Sequence, residues 1–149
     1  MRAVIQRVDE ASVTVGETVV GKIPKGLLVF LGIEINDGQE DLAFLKRKIL
    51  NLRIFPDAEG KMNLSLVDIG AAVLLVSQFT LYGNCRKGNR PSFIQAAPPN
   101  RAEELYRELI RQLRSEDVAV ESGEFQAMMK VDLVNDGPVT LIVDSKKKD

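Results

Sequence analysis

The segment Leu27-Leu28-Val29-Phe30-Leu31-Gly32-Ile33 is a continuous apolar run, and it decides the fold class of this chain. It follows Gly26 and ends before the turn-forming residues Asn36-Asp37-Gly38. A short apolar run between turn signals is typical of a β-strand in the core of a sheet. We therefore predict a strand whose two faces are both buried.

The chain before this run alternates between apolar and polar residues, as a β-strand with one buried face does. Residues 4–15 alternate in this way, and Gly16 separates them from Thr18-Val19-Val20. A glycine between two such segments indicates a turn between paired strands. The sequence therefore predicts a β-hairpin ahead of the buried strand.

Two later segments have the period of an amphipathic helix. The first begins near Gln39 and has apolar residues at helical spacing, namely Leu42, Leu45, Ile49 and Leu52. The second begins near Pro99, ends near Arg114 and carries on one face Ala102, Leu105, Leu109 and Leu113. We therefore predict two main helices.

Further strands are predicted over residues 71–82, 131–134 and 139–143, with a tight turn at Asn135-Asp136-Gly137-Pro138 between the last two. The order of elements is rich in strands and has two separated helices. We predict a mixed α+β fold, with β-rich mixed sheets, in a single compact domain spanning residues 1–149.

The composition restricts the available chemistry. The 149 residues carry 20 Lys and Arg against 21 Asp and Glu, so any contact with RNA must be local. The chain has no histidine and one cysteine, Cys85, which excludes histidine-dependent nucleophiles, histidine-ligated metals and an internal disulfide. No segment resembles a membrane span or a signal peptide, so we expect a cytoplasmic protein.

The segment Ser77-Gln78-Phe79-Thr80-Leu81-Tyr82-Gly83 follows an apolar strand directly, and ligand sites favour such strand ends. If the extended conformation continues, Ser77 and Phe79 share one face of the strand, and Gln78 and Thr80 share the other. An edge strand with Phe79 in the core is the simpler alternative. Thr80 is a candidate nucleophile, although no histidine is present to activate it.

A basic loop, Cys85-Arg86-Lys87-Gly88-Asn89-Arg90-Pro91-Ser92-Phe93, follows this segment. Its three cations lie close to the aromatic residues Tyr82 and Phe93, a combination that can hold a phosphate and stack a base. A solvated loop is the simpler alternative, and a third is that Arg86 binds a backbone carboxylate.

Taken together and in this order, the segments resemble the D-aminoacyl-tRNA deacylase (D-tyrosyl-tRNA deacylase) family. The resemblance rests on Ser77-Gln78-Phe79-Thr80-Leu81, on the basic loop from Lys87 to Phe93 and on Asn135-Asp136-Gly137-Pro138-Val139-Thr140. Residues 2–8, 11–15 and 48–55 are also similar. The match extends over nearly the whole chain.

The resemblance implies the fold of this family and a homodimer. It implies hydrolysis of the ester that joins a D-amino acid to the 3′-terminal adenosine of tRNA, with some activity on glycyl-tRNA and without a metal or cofactor. Such an enzyme serves the quality control of translation. A non-catalytic RNA- or nucleotide-binding dimer is the alternative, and a purely structural dimer is the third.

The resemblance further implies that Gly137-Pro138 is cis and enters the partner subunit's pocket, where it rejects L-aminoacyl groups by steric clash. Arg7 is expected to brace this Gly-Pro segment; an exposed strand arginine is the alternative. Ser77, Gln78, Phe79 and Thr80 are expected to line the pocket.

For the chemistry, the resemblance favours attack by water with help from the vicinal ribose hydroxyl, while backbone N–H groups near Phe79 stabilise the oxyanion. The expected contacts with the terminal adenosine and the rest of the tRNA are Phe125, Met129, Arg86 and Lys87. Phe125 and Met129 are core residues in the simpler interpretation. Gln126 stands where the family usually has glycine.

Overall fold

The computed structural model describes residues 1–147, so the last two positions of the predicted 1–149 domain lie outside the described residues. The elements in chain order are β1 Arg2–Val15, β2 Thr18–Ile23, β3 Gly26–Gly32, α1 Gln39–Asn51, β4 Phe55–Pro56, β5 Met62–Leu64, α2 Leu66–Ile69, β6 Ala72–Ser77, a 3₁₀ helix Phe79–Tyr82, α3 Pro99–Arg114, β7 Val120–Ser122 and β8 Lys130–Asp144.

One mixed sheet organises the fold, in the order β2-β1-β3-β6-β7, with β8 also paired to β1. The pairs of β1 with β2, β3 and β8 are antiparallel, whereas β3, β6 and β7 run parallel. The sheet curls until β2 also contacts β6 and β7, which brings it close to a barrel. The predicted α+β class is confirmed.

The predicted central strand is confirmed as β3. Leu27, Leu28 and Val29 are fully buried, because one face of the sheet packs on the helices and the other lines a second apolar cluster. The main core between sheet and helices includes Ile5 from β1 and Leu75 from β6. The hairpin predicted ahead of β3 is confirmed as β1 and β2.

The two predicted helices are confirmed as α1 and α3. Helix α1 buries Leu42, Leu45 and Ile49, and the Gly38 N–H donates to the Asp41 carboxylate at its start, at 2.9 Å. Helix α3 begins at Pro99 and buries each of the four predicted apolar residues. Helix α2 was missed because it has only four residues, although Ser65 and Asp68 form a capping box at its start.

Two predictions about strands were wrong. The predicted 71–82 strand ends at Ser77, where a 3₁₀ helix follows. The predicted hairpin near Asn135 is one continuous strand, β8. Both halves of β8 pair with the same long strand β1, so the chain keeps its direction, and the extra residues between the halves bulge outward.

The longest helix, α3, has 16 residues. Among the helices of residues 1–147, none combines the length and the apolar character needed to cross a lipid bilayer.

Candidate active site: an apolar groove and a Gly-Pro bulge

An apolar groove of about 760 Å³ opens where β3 and β6 end. The strand ends, the 3₁₀ helix and the start of α3 converge there, so residues that are far apart in sequence form its wall. The lining residues are Leu31, Ile33, Ile35, Ser77, Phe79, Phe93, Ile94, Ala96, Ala97, Pro98, Pro99, Ala102, Phe125 and Gln126. A concave apolar surface with few polar groups is typical of a small-molecule site.

The Ser77–Thr80 segment turns sharply at one wall of the groove. The Gln78 N–H still donates to the Leu31 carbonyl, at 2.8 Å, and the backbone then enters the 3₁₀ helix. The helix crosses directly over Gly32, where a Cβ would lie only 3.0 Å from the Leu81 Cβ. The predicted alternation of side chains therefore ends at Gln78.

The structure separates the four predicted pocket residues into two pairs. Ser77 and Phe79 line the groove. The side chains of Gln78 and Thr80 bond to each other, with the Gln78 amide donating to the Thr80 hydroxyl. Within residues 1–147, this is the only hydrogen bond that the Thr80 side chain makes. Because the Gln78 amide is the donor, it provides no base to accept the hydroxyl proton.

Phe79 is not a core residue, so the edge-strand alternative was wrong. Its side chain is 55% exposed and meets Phe93 edge to face, with the ring centroids 5.2 Å apart. Phe93 is the last residue of the basic loop, whose base is closed by two backbone bonds of 2.8 and 3.0 Å between Asn84 and Ser92. The loop therefore begins and ends at the rim of the groove.

Arg86 and Lys87 are exposed in this loop. The Arg86 N–H donates to the Asn84 side chain at 3.0 Å, which shapes the turn. Within the described chain, neither of the two cationic side chains enters a salt bridge. Their charges are thus available at the rim but do not line the groove itself.

The predicted Gly-Pro motif forms a bulge on β8. Gln6 pairs with Thr140, and Val8 pairs with Asn135. Residues 136–139 therefore all lie opposite one β1 residue, Arg7. The Gly137–Pro138 peptide bond is cis, as the resemblance implies, and both residues are exposed. Of the described residues that line the groove, none belongs to this bulge.

Arg7 anchors the bulge from beneath. It is 8% exposed, and its guanidinium donates to the Ile54 carbonyl at 2.6 Å and to the Asp136 carbonyl at 3.2 Å. The Asp136 carboxylate lies 3.2 Å from the same Nε atom. The alternative of an exposed strand arginine was therefore wrong.

Gly137 has a conformation and surroundings that favour glycine. Its φ is +124°, and a Cβ there would lie 2.9 Å from both Arg7 Nη2 and Val139 Cγ2. An L side chain would strain the backbone and displace the arginine.

Sequence reasoning missed how Asn135 closes the bulge. Its side-chain oxygen accepts the Val139 N–H at 3.2 Å, and its amide donates to the Thr140 hydroxyl at 3.0 Å. Asn is a turn-forming residue that bonds nearby backbone, which is the signal that could have assigned it this role. Together with Arg7, it defines the position of the protruding backbone.

Arg2, also missed, supports the 3₁₀ helix from below. Tyr82, the last residue of this helix, is buried, so the prediction that it can stack a base beside the basic loop was wrong. The Arg2 guanidinium donates to the Leu81 carbonyl at 3.1 Å, pairs with Asp144 at 2.8 Å and lies 4.5 Å above the Tyr82 ring. Burial raises the pKa of Tyr82 well above its usual value, and its hydroxyl finds no bonding partner in residues 1–147. Only the fold brings the start of the chain beneath this helix.

The two predicted adenosine contacts lie in different places. Phe125 lines the groove and packs on Tyr106, whose hydroxyl donates to the Leu75 carbonyl at 2.7 Å. Burial raises the pKa of Tyr106 to about 12, so this hydroxyl stays protonated. Met129 instead packs partly buried against the second apolar cluster, which agrees with its interpretation as a core residue.

The curled sheet, the apolar groove at its edge and the braced bulge define an α+β protein with a concave ligand site. The model of the D-Tyr-tRNA(Tyr) deacylase family matches residues 4–144. The chain is 58% identical over 147 residues to a D-aminoacyl-tRNA deacylase of Syntrophobacter fumaroxidans, with 99% of each covered. It is 59% identical over 148 residues to one of Thermus aquaticus, with 99% of this chain and 97% of the relative covered.

Solved structures agree with this match. One, described as a c-Myc DNA Unwinding Element Binding Protein, has a TM-score of 0.93 and 44% identity, with 99% of this chain and 100% of that chain covered. Another, of a probable eukaryotic D-amino acid tRNA deacylase, shares the fold with a TM-score of 0.76 at 20% identity, covering 95% and 97%. This chain belongs to the D-Tyr-tRNA(Tyr) deacylase family, so the family predicted from the sequence is confirmed.

Proposed function

We propose that this chain hydrolyses the ester bond between a D-amino acid and the 3′-terminal adenosine of tRNA, releasing both. The observation that carries the proposal is the exposed Gly137-Pro138 backbone, which Arg7 and Asn135 hold in one position. An immobilised backbone protrusion suits a site that sorts acyl groups by shape. Family membership supplies the reaction class.

We also propose that the active form is a homodimer in which the bulge of one subunit enters the groove of the other. The bulge is exposed and does not line the groove of its own chain, within residues 1–147. Strand β8 offers exposed apolar side chains on the same element, Val134 at 46% and Ile142 at 79%. A second copy of this chain would cover them and complete each groove.

In such a dimer, selectivity would come from exclusion. The cross-subunit backbone would fill the space that an L side chain needs, whereas D side chains would point elsewhere. Rejection by clash discriminates strongly without requiring contacts to each accepted side chain. Glycine has no side chain to reject, so some hydrolysis of glycyl-tRNA is expected.

The hydrolysis itself needs a positioned water and a stabilised oxyanion. Phe79 and Thr80 begin the 3₁₀ helix, and the first N–H groups of a helix have no acceptor within it. These N–H groups can donate to the oxyanion, while the ribose hydroxyl next to the ester assists the attack of water. Arg86 and Lys87 at the rim would contact tRNA phosphates.

Deacylation of matched D-tyrosyl-, L-tyrosyl- and glycyl-tRNA tests the proposal. We expect rapid release from the D-form, slower release from the glycyl form and none from the L-form above background. Equal cleavage of the two enantiomers, or of neither, would overturn it. Size-exclusion chromatography with light scattering tests the dimer separately, and a monomer that retains full activity would contradict the cross-subunit site.

Thr80→Val separates the two candidate mechanisms. It removes the hydroxyl but keeps the backbone N–H groups and the β-branched shape. If backbone groups and the ribose hydroxyl carry the reaction, the variant retains turnover within about tenfold of wild type. A complete loss of turnover in a folded variant would instead make Thr80 the nucleophile, which would form an acyl-enzyme.

Nucleic-acid binding without catalysis is a second candidate. One observation favours it: the similar solved structure described as a DNA unwinding element binding protein. This candidate predicts that the chain binds uncharged and D-aminoacylated tRNA equally and leaves the ester of the charged form intact, so the same assay distinguishes it.

A further inference from the structure

Gln126 has an uncommon backbone conformation at the wall of the groove. Its φ is +66°, which side-chain-bearing residues seldom adopt and glycine adopts readily. Among residues 1–147, the only other non-glycine residue with a positive φ is Asp117, in the turn after α3. Non-glycine residues in such conformations concentrate at ligand sites, where the side chain has a use.

Few polar side chains line the groove. Of its lining residues in the described chain, two carry polar side chains, Ser77 and Gln126, and the rest are aliphatic, aromatic or proline. A serine hydroxyl is one small group, whereas a glutamine amide presents a donor and an acceptor side by side. The Gln126 side chain is exposed and makes no hydrogen bond within residues 1–147.

Phe125, immediately before Gln126, lines the same wall with an aromatic surface held by Tyr106 at a centroid distance of 5.8 Å. A fixed aromatic ring next to a free amide is suited to a nucleobase, whose face is apolar and whose edge has paired donors and acceptors. Glutamine matches adenine in particular, because it can accept from N6 and donate to N7 at once.

We propose that Gln126 is a specificity-determining residue that reads the edge of the terminal adenine, with Oε1 accepting from the N6 amine and Nε2 donating to N7. The inference rests on the proposed function for the identity of the nucleoside. It adds a direct base contact by a side chain to a groove whose lining is otherwise almost entirely apolar.

The test compares tRNA whose 3′-terminal adenosine is native, 7-deazaadenosine or purine riboside, each charged with D-tyrosine. The first analogue lacks the N7 acceptor and the second lacks the N6 amine. For the wild-type protein we expect kcat/KM to fall about tenfold with each analogue, as for the loss of one base-edge contact. Unchanged kcat/KM with both analogues would overturn the inference.

Two variants complete the comparison. Gln126→Gly suits the positive φ and should fold normally. It removes both contacts, so kcat/KM on native tRNA should fall by about 100-fold, and neither analogue should lower it further. Gln126→Glu keeps an acceptor for N6 but no donor for N7, so it should respond to purine riboside and not to 7-deazaadenosine. If Gln126→Gly responds to the analogues as wild type does, another group reads the base and the inference is wrong.

A binding measurement keeps this test separate from that of the proposed function. Calorimetry with the non-hydrolysable 3′-deoxy-3′-(D-tyrosylamino)adenosine and its 7-deaza counterpart measures the base contact without any deacylation. Roughly tenfold tighter binding of the adenosine form to wild type, and equal binding of both forms to Gln126→Gly, would support the inference. Equal binding of both to wild type, or no binding of either, would overturn it even in an active enzyme.

Discussion

The groove and the Gly-Pro bulge are opposite kinds of surface in one chain. The groove is concave, apolar and built from several elements, whereas the bulge is convex and consists of backbone from one strand. The groove can accommodate varied side chains because apolar contacts are not directional. The bulge is held by directional bonds from Arg7 and Asn135, so it can exclude one shape. The groove is thus suited to accept varied side chains, and the bulge, a different part of the molecule, is suited to exclude those of the wrong shape.

Arg7→Ala should have the largest effect on this division. It leaves the Ile54 and Asp136 carbonyls without their donor and should lower the free energy of unfolding by about 3 kcal/mol, at roughly 1–3 kcal/mol for each lost partner. The freed bulge should then reject L-tyrosyl-tRNA poorly. Chemical denaturation and the ratio of D to L deacylation measure the two effects.

Arg107→Ala is the matched control, because this arginine pairs with Glu103 on the exposed face of α3. This replacement should lower the free energy of unfolding by less than about 0.5 kcal/mol. If Arg7→Ala keeps the wild-type ratio of D to L deacylation, the bulge does not determine stereochemistry.

Gly137→Ala should have the next largest effect. The added Cβ meets Arg7 and Val139 at 2.9 Å and the residue must keep a positive φ, so stability should fall by about 1–3 kcal/mol. Deacylation of D-tyrosyl-tRNA should fall by about 100-fold, since in the proposed dimer the displaced bulge no longer fits the groove of the second subunit.

Gly16→Ala is the control for this backbone effect. It also has a positive φ, but a Cβ there meets nothing within 4 Å, and the position lies in the β1–β2 turn. It should destabilise the fold modestly and leave deacylation unchanged. Parallel losses of activity in both variants would assign the Gly137 effect to general destabilisation.

Arg2→Ala tests the groove side of the comparison. It removes the bond to the Leu81 carbonyl, so the 3₁₀ helix loses support and kcat/KM should fall about fivefold. The stability loss should be only about 1 kcal/mol, because the Arg2 side chain is 41% exposed and its ion pair is partly screened. The ratio of D to L deacylation should stay high, unlike that of the bulge variants.

The pH dependence of stability offers a second readout of Arg2. Burial disfavours the charged form of Asp144, but the bonds from Arg2 and from the Lys146 N–H, together with the charges of Arg2 and the N-terminus, outweigh this and hold the pKa of the carboxyl below 3.8. A lowered folded-state pKa stabilises the protein above the unfolded value and loses this effect as the pH falls through the folded one. The Tm difference between wild type and Arg2→Ala should therefore be larger at pH 7 than at pH 2; an equal difference would contradict the ion pair.

Replacement of Arg86 and Lys87 together by alanine should have the smallest effect. Both are exposed and enter no salt bridge within residues 1–147, so the Tm should not change. Affinity for D-tyrosyl-tRNA should fall severalfold at low salt, and the slope of log affinity against log salt should become shallower. The same slope in both proteins would mean that the loop does not touch phosphate.

Elements with a strong period were predictable from the sequence. The apolar run of β3, the apolar stripes of α1 and α3 and the first hairpin each follow from local spacing of side chains. The end of β6 at Ser77 was not predictable, because Thr and Phe favour strands, and only the crossing over Gly32 forces the turn. The continuity of β8 was hidden for a similar reason, since turn-forming residues mark a bulge and a hairpin alike.

The site divides in the same way. Ser77, Phe79 and Phe125 were predicted from the resemblance, and the groove does bring them together. The local sequence did not place Met129 in the core, because a methionine suits both a base and a hydrophobic cluster. The role of Arg2 was missed because it arises from contacts with Leu81 and Asp144, which are distant in the sequence. The role of Asn135 was missed although its contacts are local.

The sequence by itself determined the family, the α+β class and the strands and helices whose side-chain period is unambiguous, since that information lies within a few consecutive residues. Tertiary structure alone decided that Arg7 also bonds the Ile54 carbonyl, that Arg2 supports the 3₁₀ helix and that Gln126 stands in an apolar wall. These relations depend on how the sheet curls and which strands pair across more than a hundred residues. No local pattern encodes that pairing, because it results from burying the whole core at once.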